Sequence, residues 1–291
     1  MISGKKIIIA GGGIAGLIAA IRLARNGFAC TLIEKKAYPF HRVCGEYVSN
    51  ETADFLTREN LYPHDFNPVN IAQLQLSSVN GKTTGMRLTP GGFGISRFSF
   101  DHFLFRIAQN AGVHFILNTT IESIQHGERF TVNTVDKSFP ADLVIGAFGK
   151  RSRLDVQLSR SFARKRSPYV GIKYHAKTKH PDAVIALHNF RGGYCGVSNV
   201  EDGKTNICYL VHRDKLKQAG SIDALEEKVL FENPHLKKIF TEAEFLFQKP
   251  EVINEISFET KEPVFNHILM AGDAAGMIAP LCGNGMAMAI H

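Results

Sequence analysis

The stretch HRVCGEYVS (41–49) sets one cysteine between a basic residue and a Gly-Glu pair. A nucleophilic Cys44 would need a positioned base and a cationic setting that lowers the thiol pKa. His41 and Arg42 are adjacent in sequence, but no third, orienting residue can be named. A metal role lacks partners: Cys30, Cys44, Cys195, Cys208 and Cys282 are widely spaced, with no C-x-x-C pair and no nearby histidine couple. Twelve histidines are scattered without forming a constellation. Two readings of Cys44 stay open, a small soft side chain that fills space and a group that assists a cofactor. The preceding forty residues decide whether there is a cofactor to assist.

Those residues spell a dinucleotide fingerprint. Ile7-Ile8-Ile9-Ala10 is a β-branched run suited to a buried parallel strand. Gly11-Gly12-Gly13-Ile14-Ala15-Gly16 then satisfies G-x-G-x-x-G. Ile14, Leu17, Ile18 and Ile21 recur at helical spacing, and Gly27 offers a stop. ACTLIE follows as a second strand ending in Glu34. Gly11 permits a tight turn, Gly13 lets backbone N–H groups approach a pyrophosphate, and Gly16 lets helix and strand pack closely. Ile14 and Ala15 open a helix whose N-terminus favours phosphate. Glu34, 21 residues after Gly13, is spaced to accept ribose hydroxyls, with Lys35 beside it. The fingerprint does not separate NAD from FAD, but the acidic Glu34 disfavours a 2′-phosphate.

The totals fit an ordinary soluble globular protein of 291 residues, 44% apolar and 21% charged. The net charge of +7 is spread over scattered lysines and RKR (164–166), so a solvated surface is expected and nucleic acid is not. The cysteine pattern suits a reducing cytoplasm. The first apolar run is broken by glycines and followed by Arg22 and Arg25, unlike a signal peptide. No stretch has the uninterrupted length of a membrane span, and peripheral membrane contact is left open.

Beyond Glu34 the α/β rhythm breaks. IAQLQLS and GMRLT alternate around Asn80-Gly81, a hairpin signal. SFDHFLFRIAQNAG reads as a helix with Ser99 as cap and Gly112 as stop. VHFILN, TIESIQ, RFTVNTV and ADLVIGAFG read as strands. A β-rich stretch follows from about 169 to 210, then a mostly helical one from about 221 to 247. HILMAGDAAG reads as strand, turn and helix entrance.

Four stretches carry a resemblance. Gly11 to Glu34, PFHRVCGEYVS, DLVIGAFGKRSRLD and AGDAAGMIAPLCGNGM together resemble the p-hydroxybenzoate hydroxylase-type flavoproteins, and within them the geranylgeranyl reductase family. The resemblance implies FAD, with NAD(P)H as a candidate electron donor. It implies that Arg42 and Arg97 reach the flavin chain or phosphates, that Ile121 sits at the adenine and that Cys44 runs beside the ring. Gly149 belongs to its central motif, and Gly272 and Asp273 to its Gly-Asp motif. Asp273 at a strand end can hydrogen-bond a ribityl hydroxyl. Pro280 makes a rigid bend past the ring, and Gly283 and Gly285 bring backbone N–H groups to an edge where charge develops on reduction. Met286 follows at the ring. This chain departs from the family at Phe148, where an aspartate is usual, which weighs against nicotinamide binding by that route. The family also continues with helices beyond the point matching His291, so further C-terminal structure is expected.

The expected architecture is α/β, with a discontinuous Rossmann-like FAD-binding domain (1–70, 98–158 and 264–291). A β-sheet-rich substrate domain (71–97 and 159–263) completes it. The expected activity is hydride transfer from reduced flavin to a carbon–carbon double bond of a small apolar, prenyl-like substrate, with Cys44 as the candidate catalytic residue and no metal. Phe93, Phe98, Tyr169, Phe190 and Tyr194 are candidate pocket aromatics, and Glu46 reads as a loop or pocket carboxylate. Three rivals remain: an aromatic monooxygenase, a flavin-dependent halogenase, and a flavin-binding protein without turnover. Against the halogenase stands the absence of tryptophan, because that family carries a tryptophan-containing motif.

Overall fold

The computed structural model describes residues 4–165, 167–254, 256 and 258–291. In chain order its elements begin β1 (Lys6–Ala10), α1 (Ile14–Arg25), β2 (Ala29–Ile33), β3 (Tyr47–Ser49), α2 (Ala53–Arg58), β4 (Val69–Ser77) and β5 (Thr83–Gly94). Then come α3 (Arg97–Asn110), β6 (His114–Ile116), β7 (Ile121–His126), β8 (Phe130–Thr134), β9 (Ser138–Ala141), β10 (Leu143–Gly146) and α4 (Arg153–Gln157). The strands β11 (Tyr169–Lys177), β12 (Val184–Phe190), β13 (Gly193–Val200) and β14 (Lys204–His212) precede α5 (Arg213–Ala219), α6 (Ile222–Lys228) and α7 (Pro234–Glu242). Last are β15 (Glu244–Phe245), β16 (Glu251–Asn254), β17 (Val264–Phe265), β18 (Ile268–Met270) and α8 (Gly285–Ile290).

The chain divides into two compact units. Unit 1 comprises Met1–Phe40, Phe98–Arg166 and Ser257–His291. Its main sheet runs β17-β18-β10-β1-β2-β6, parallel except for β17. The chain builds outward from β1 through β2 to β6, then returns to β10 on the other side of β1. That reversal creates a topological switch point at the carboxyl ends of β1 and β10, where open α/β sheets bind ligands. The apolar run Ile7–Ala10 is buried because both faces of β1 are covered, which is why it reads as a continuous block rather than an alternation. A small antiparallel sheet, β7-β8-β9, also belongs to unit 1.

Unit 2 comprises His41–Arg97 and Ser167–Ile256. Its sheet runs β15-β11-β14-β13-β12-β4-β5-β3, with β16 added beside β11. Val170, Ile172, Tyr174 and Ala176 of β11 share a buried core with Leu225, Leu236 and Phe240 of the following helices. Side chains at alternate positions of β11 face opposite sides of the sheet, so they serve different ends.

The α/β architecture with a Rossmann-like and a sheet-rich part is as expected from the sequence; the boundaries differ. Residues 41–70 fall in unit 2, because β3 pairs with β5 (Tyr47 opposite Gly94) and β4 lies parallel to β12. Residues 159–165 and 258–263 fall in unit 1, where Arg160 donates to the carbonyls of Ala274 and Glu262. The helix at 97–110 starts at Arg97, so Ser99 lies inside it and is not its cap. Gly112, at φ +89°, does follow its end. The Gly-Asp segment forms only a single 3-10 turn, Gly272–Ala274, and the helix expected there begins later, at Gly285.

Candidate functional site

In unit 1 the fingerprint turn stands at the switch point. Gly11 has φ +107°, and a Cβ there would overlap the carbonyl of Ala147, the residue that follows β10. A Cβ on Gly16 would overlap the carbonyl of Gly11. These two glycines therefore let the turn, α1 and the end of β10 close on one another. Gly13 caps α1 with no side-chain hydrogen bond, so the amides of the first turn, at Ile14 and Ala15, are left to a ligand. Glu34 is 4% exposed at the end of β2, and its carboxylate accepts from the Gly12 amide at 2.8 Å and the Lys36 amide at 3.2 Å. Lys35 is exposed beside it.

Gly12, the variable position of the motif, turns out to be as constrained as its neighbours. Tyr38 donates its hydroxyl to the Gly12 carbonyl at 2.5 Å and occupies the space a side chain at Gly12 would need. The Tyr38 ring stacks on Phe105 with centroids 4.5 Å apart. Nothing in the sequence pattern marks Tyr38.

Four more expected segments belong to the same unit. Gly149, at φ +87°, follows β10. Gly272, at φ +58°, sits where a Cβ would come within 2.9 Å of the Ala15 side chain, so the Gly-Asp turn lies against the first turn of α1. Asp273 is partly exposed, and its carboxylate makes no hydrogen bond among the described residues. Pro280 starts a 3-10 turn that ends at Gly283, φ +67°, and Gly285 and Met286 open α8. At the N-cap of α8, Asn284 Oδ1 is buried and has no hydrogen-bond partner among the described residues. Ile121, at the start of β7, is buried in the core with Ile8 and Ile33. Phe148 packs against the same core.

These features suit a dinucleotide cofactor. The turn has no room for side chains at Gly11 or Gly16, the helix amides lack a side-chain cap, and among the described residues Asn284 Oδ1 and the Asp273 carboxylate are acceptors without donors.

Arg42, Cys44 and Arg97 lie in unit 2. There the 41–46 loop is held carbonyl by carbonyl. Lys173 donates to Arg42 O at 3.1 Å, Asn206 to Cys44 O at 3.2 Å, Ser198 to Gly45 O at 3.5 Å, and the Ile95 amide to Glu46 O at 3.1 Å. Glu46 itself is fully buried in a left-handed conformation, φ 55°. Its carboxylate is paired with the buried Lys173 ammonium, lies 2.6 Å from His175 Nε2, and accepts from the Arg97 amide at 2.7 Å. Burial would raise the Glu46 carboxyl, but Lys173 and His175 outweigh it and hold it at about 2. Burial, reinforced by Lys173 and His175, pushes His41 down to about 4. With the carbonyls turned toward the sheet, the Cys44 side chain is half-exposed and Gly45 exposed; a Cβ on Gly45 would meet nothing within 4 Å. Glu46 is thus a loop carboxylate, as the sequence suggested, and Cys44 is displayed by it.

Lys173 and His175 escaped the sequence reading, though a signal existed. They stand two apart within β11, YVGIKYHAK, which puts two basic groups side by side on one strand face.

Comparison with known proteins agrees with this geometry. The profile of the NAD(P)-binding Rossmann-like domain matches residues 9–69. The structure of CmlS, a flavin-dependent halogenase, superposes over 100% of this chain and 56% of its own, with a TM-score of 0.79 and 20% identity. Halogenase PltM superposes over 98% of this chain and 67% of its own, with a TM-score of 0.81 and 18% identity. The chain has the fold of the FAD-dependent oxidoreductases. Tryptophan 2-halogenase of Chondromyces crocatus is 22% identical over 99% of this chain and 59% of its own length. A probable electron transfer flavoprotein–quinone oxidoreductase of Escherichia coli (strain K12) is 30% identical over 51% of this chain and 36% of its own. The chain therefore spans about three fifths, or less, of these two curated relatives.

The expected cofactor, FAD, stands with this fold and fingerprint. The finer resemblance fares differently. None of the proteins just named is a geranylgeranyl reductase, and halogenases are prominent among them, although the sequence, lacking tryptophan, spoke against that class. Among the described residues no helix is long and apolar enough to cross a membrane, and no group of three or more His, Cys, Asp or Glu could hold a metal.

Proposed function

We propose that this protein uses bound FAD to reduce a carbon–carbon double bond in a small apolar substrate, with NAD(P)H as a candidate electron donor. The observation that carries this reading is the 41–46 loop. Its Cys-Gly-Glu triplet resembles a segment of the geranylgeranyl reductases, and here each member has a defined place: Glu46 buried and ion-paired, Gly45 open, Cys44 displayed. FAD supplies the redox chemistry when bound. The protein's residues bind and orient it: the amides at Ile14 and Ala15 serve the pyrophosphate, Glu34 the ribose, Asp273 the ribityl chain, and the backbone at Gly283–Gly285 the ring edge. Cys44 is the candidate catalytic residue, and the Glu46 clamp holds the loop that displays it. None of the five cysteines is in a disulfide, which suits a reducing cytoplasm.

A second reading, oxygen-dependent halogenation or hydroxylation of an aromatic substrate, draws on the halogenase relatives that align with nearly the whole chain. At 22% identity such relatives support the cofactor and the fold better than they support a substrate. One experiment separates the two. The FAD-loaded protein is reduced anaerobically, and its visible absorption is followed while a polyprenyl alkene is added, then air with halide and an arene. Reoxidation by the alkene before air enters supports the reductase; reoxidation by air alone, with a modified arene, rejects it.

A further inference from the structure

Asp273 offers its carboxylate outward, but its backbone is gripped from behind. Lys261 Nζ, on a residue 6% exposed, donates to the Asp273 carbonyl at 2.6 Å and to the Lys150 carbonyl at 2.7 Å. The next carbonyl, Ala274 O, accepts from Arg160 Nη1 at 2.9 Å. Arg160 is fully buried; it also pairs with Asp155 Oδ1 at 3.0 Å and donates to Glu262 O at 3.0 Å. Asp155 closes the capping box of α4 by accepting from the Ser152 amide at 2.7 Å. Both cations lie over the Phe162 ring, Lys261 at 4.5 Å and Arg160 at 5.1 Å from its centroid.

Two buried cations sharing one ring are a costly way to hold a core together, because desolvation disfavours each and apolar residues of like volume often do as well. Burial pushes the Lys261 ammonium below its ordinary range, with Asp155 and Asp273 opposing. What the cations accomplish that apolar groups cannot is to fix carbonyl directions. Lys261 joins the stretch after β10 to the Gly-Asp turn, and Arg160 joins the α4 cap to the same turn.

We infer that Lys261 and Arg160 are positioning residues of the FAD site, a two-cation bracket that orients the Gly272–Ala274 turn and so aims the Asp273 carboxylate at the cofactor. The inference rests on the FAD reading above. Neither residue touches the cofactor; each acts through the backbone of the turn.

The test is FAD affinity, measured by flavin fluorescence on apoprotein well below its melting temperature, with far-UV circular dichroism as the check on folding. Lys261→Met is expected to raise the FAD dissociation constant by about tenfold to a hundredfold, the scale of a lost charged hydrogen bond. Asp273→Asn should weaken binding comparably, and the double variant should be little worse than either single one, since both changes remove the same contact. Lys165→Met, which removes an exposed ion pair with Glu259 at 2.7 Å, should bind as the parent does. If Lys261→Met does not fold, Arg160→Lys, which keeps the charge but loses the fork, carries the same expectation. Parent-like affinity in a folded variant, or effects of Lys261 and Asp273 that multiply, overturns the bracket. A parent protein that does not bind FAD overturns the FAD reading itself and the bracket with it.

Discussion

At the carboxyl end of β1 the candidate cofactor site is made by leaving side chains out; the loop around Cys44, in the other unit, is held by burying charge. Gly11 and Gly16 are required because carbonyls stand where their Cβ atoms would be. The 41–46 loop instead depends on Glu46, Lys173 and His175, three polar groups brought together from positions about 130 residues apart in sequence. The first kind of site is rigid because the backbone has one way to pass. The second is rigid only while a charge balance holds, since either partner left alone in the interior is severely disfavoured.

Gly11→Val should show the largest effect. The added side chain meets the Ala147 carbonyl and needs a φ that valine avoids, so FAD affinity should fall roughly a hundredfold or more. The flavin absorbance retained on purification checks it. Parent-like retention would mean that backbone exclusion does not define this site.

Glu46→Gln comes next and strikes the other region. It strands the buried Lys173 ammonium, and about 3–5 kcal/mol of stability should be lost, read from urea unfolding. If the comparison is sound, Lys173→Met combined with Glu46→Gln should recover much of that loss, because the cation and its partner then leave together.

Acid should act on the buried-charge region. The folded Glu46 carboxyl, at about 2, lies below its unfolded value, so its contribution is present above about 4.5 and is lost as pH falls toward 2. Folded His41, at about 4, is kept neutral; protonation of the unfolded chain therefore withdraws stability between about 6.5 and 4. His188 in unit 2 behaves alike, held at about 4 by burial, then by His235 and His180. Urea midpoints should fall steadily from pH 7 to pH 4, and Glu46→Gln should remove the part of that slope below pH 4.5.

How much of each region could be read in the sequence follows from the same contrast. Glycine spacing, strand blocks and helix stops are local, so β1, α1, β2 and the fingerprint were visible in order. So were the Asn80-Gly81 hairpin and the β-rich stretch after Tyr169. The grip of Tyr38 on Gly12 and the pairing of Glu46 with Lys173 depend on partners far along the chain. No periodicity announces them. The domain boundary at His41 was missed for that reason: the loop reads as a continuation of the fingerprint, and only strand pairing shows that it belongs to the other sheet. Residue roles toward the cofactor at Arg42, Arg97 and Ile121 came from resemblance, and the two arginines fall in unit 2 while Ile121 falls in unit 1.

The smallest effect is expected at Cys44. Its side chain is half-exposed while its loop is held through backbone carbonyls, so Cys44→Ala should change stability by about 1 kcal/mol or less and leave FAD affinity unchanged. Turnover should fall several-fold. Loss of bound flavin would make Cys44 part of the cofactor site, and parent-like turnover would reduce it to filler.

The most direct test of the central claim is a titration of the apoprotein with FAD, followed by flavin fluorescence, with NAD and NADP as competitors. With FAD as the resident cofactor, binding saturates at one FAD per chain and neither nicotinamide nucleotide displaces it from the Gly11–Glu34 site. No saturable FAD binding, or displacement of FAD by NAD at comparable concentration, would contradict it.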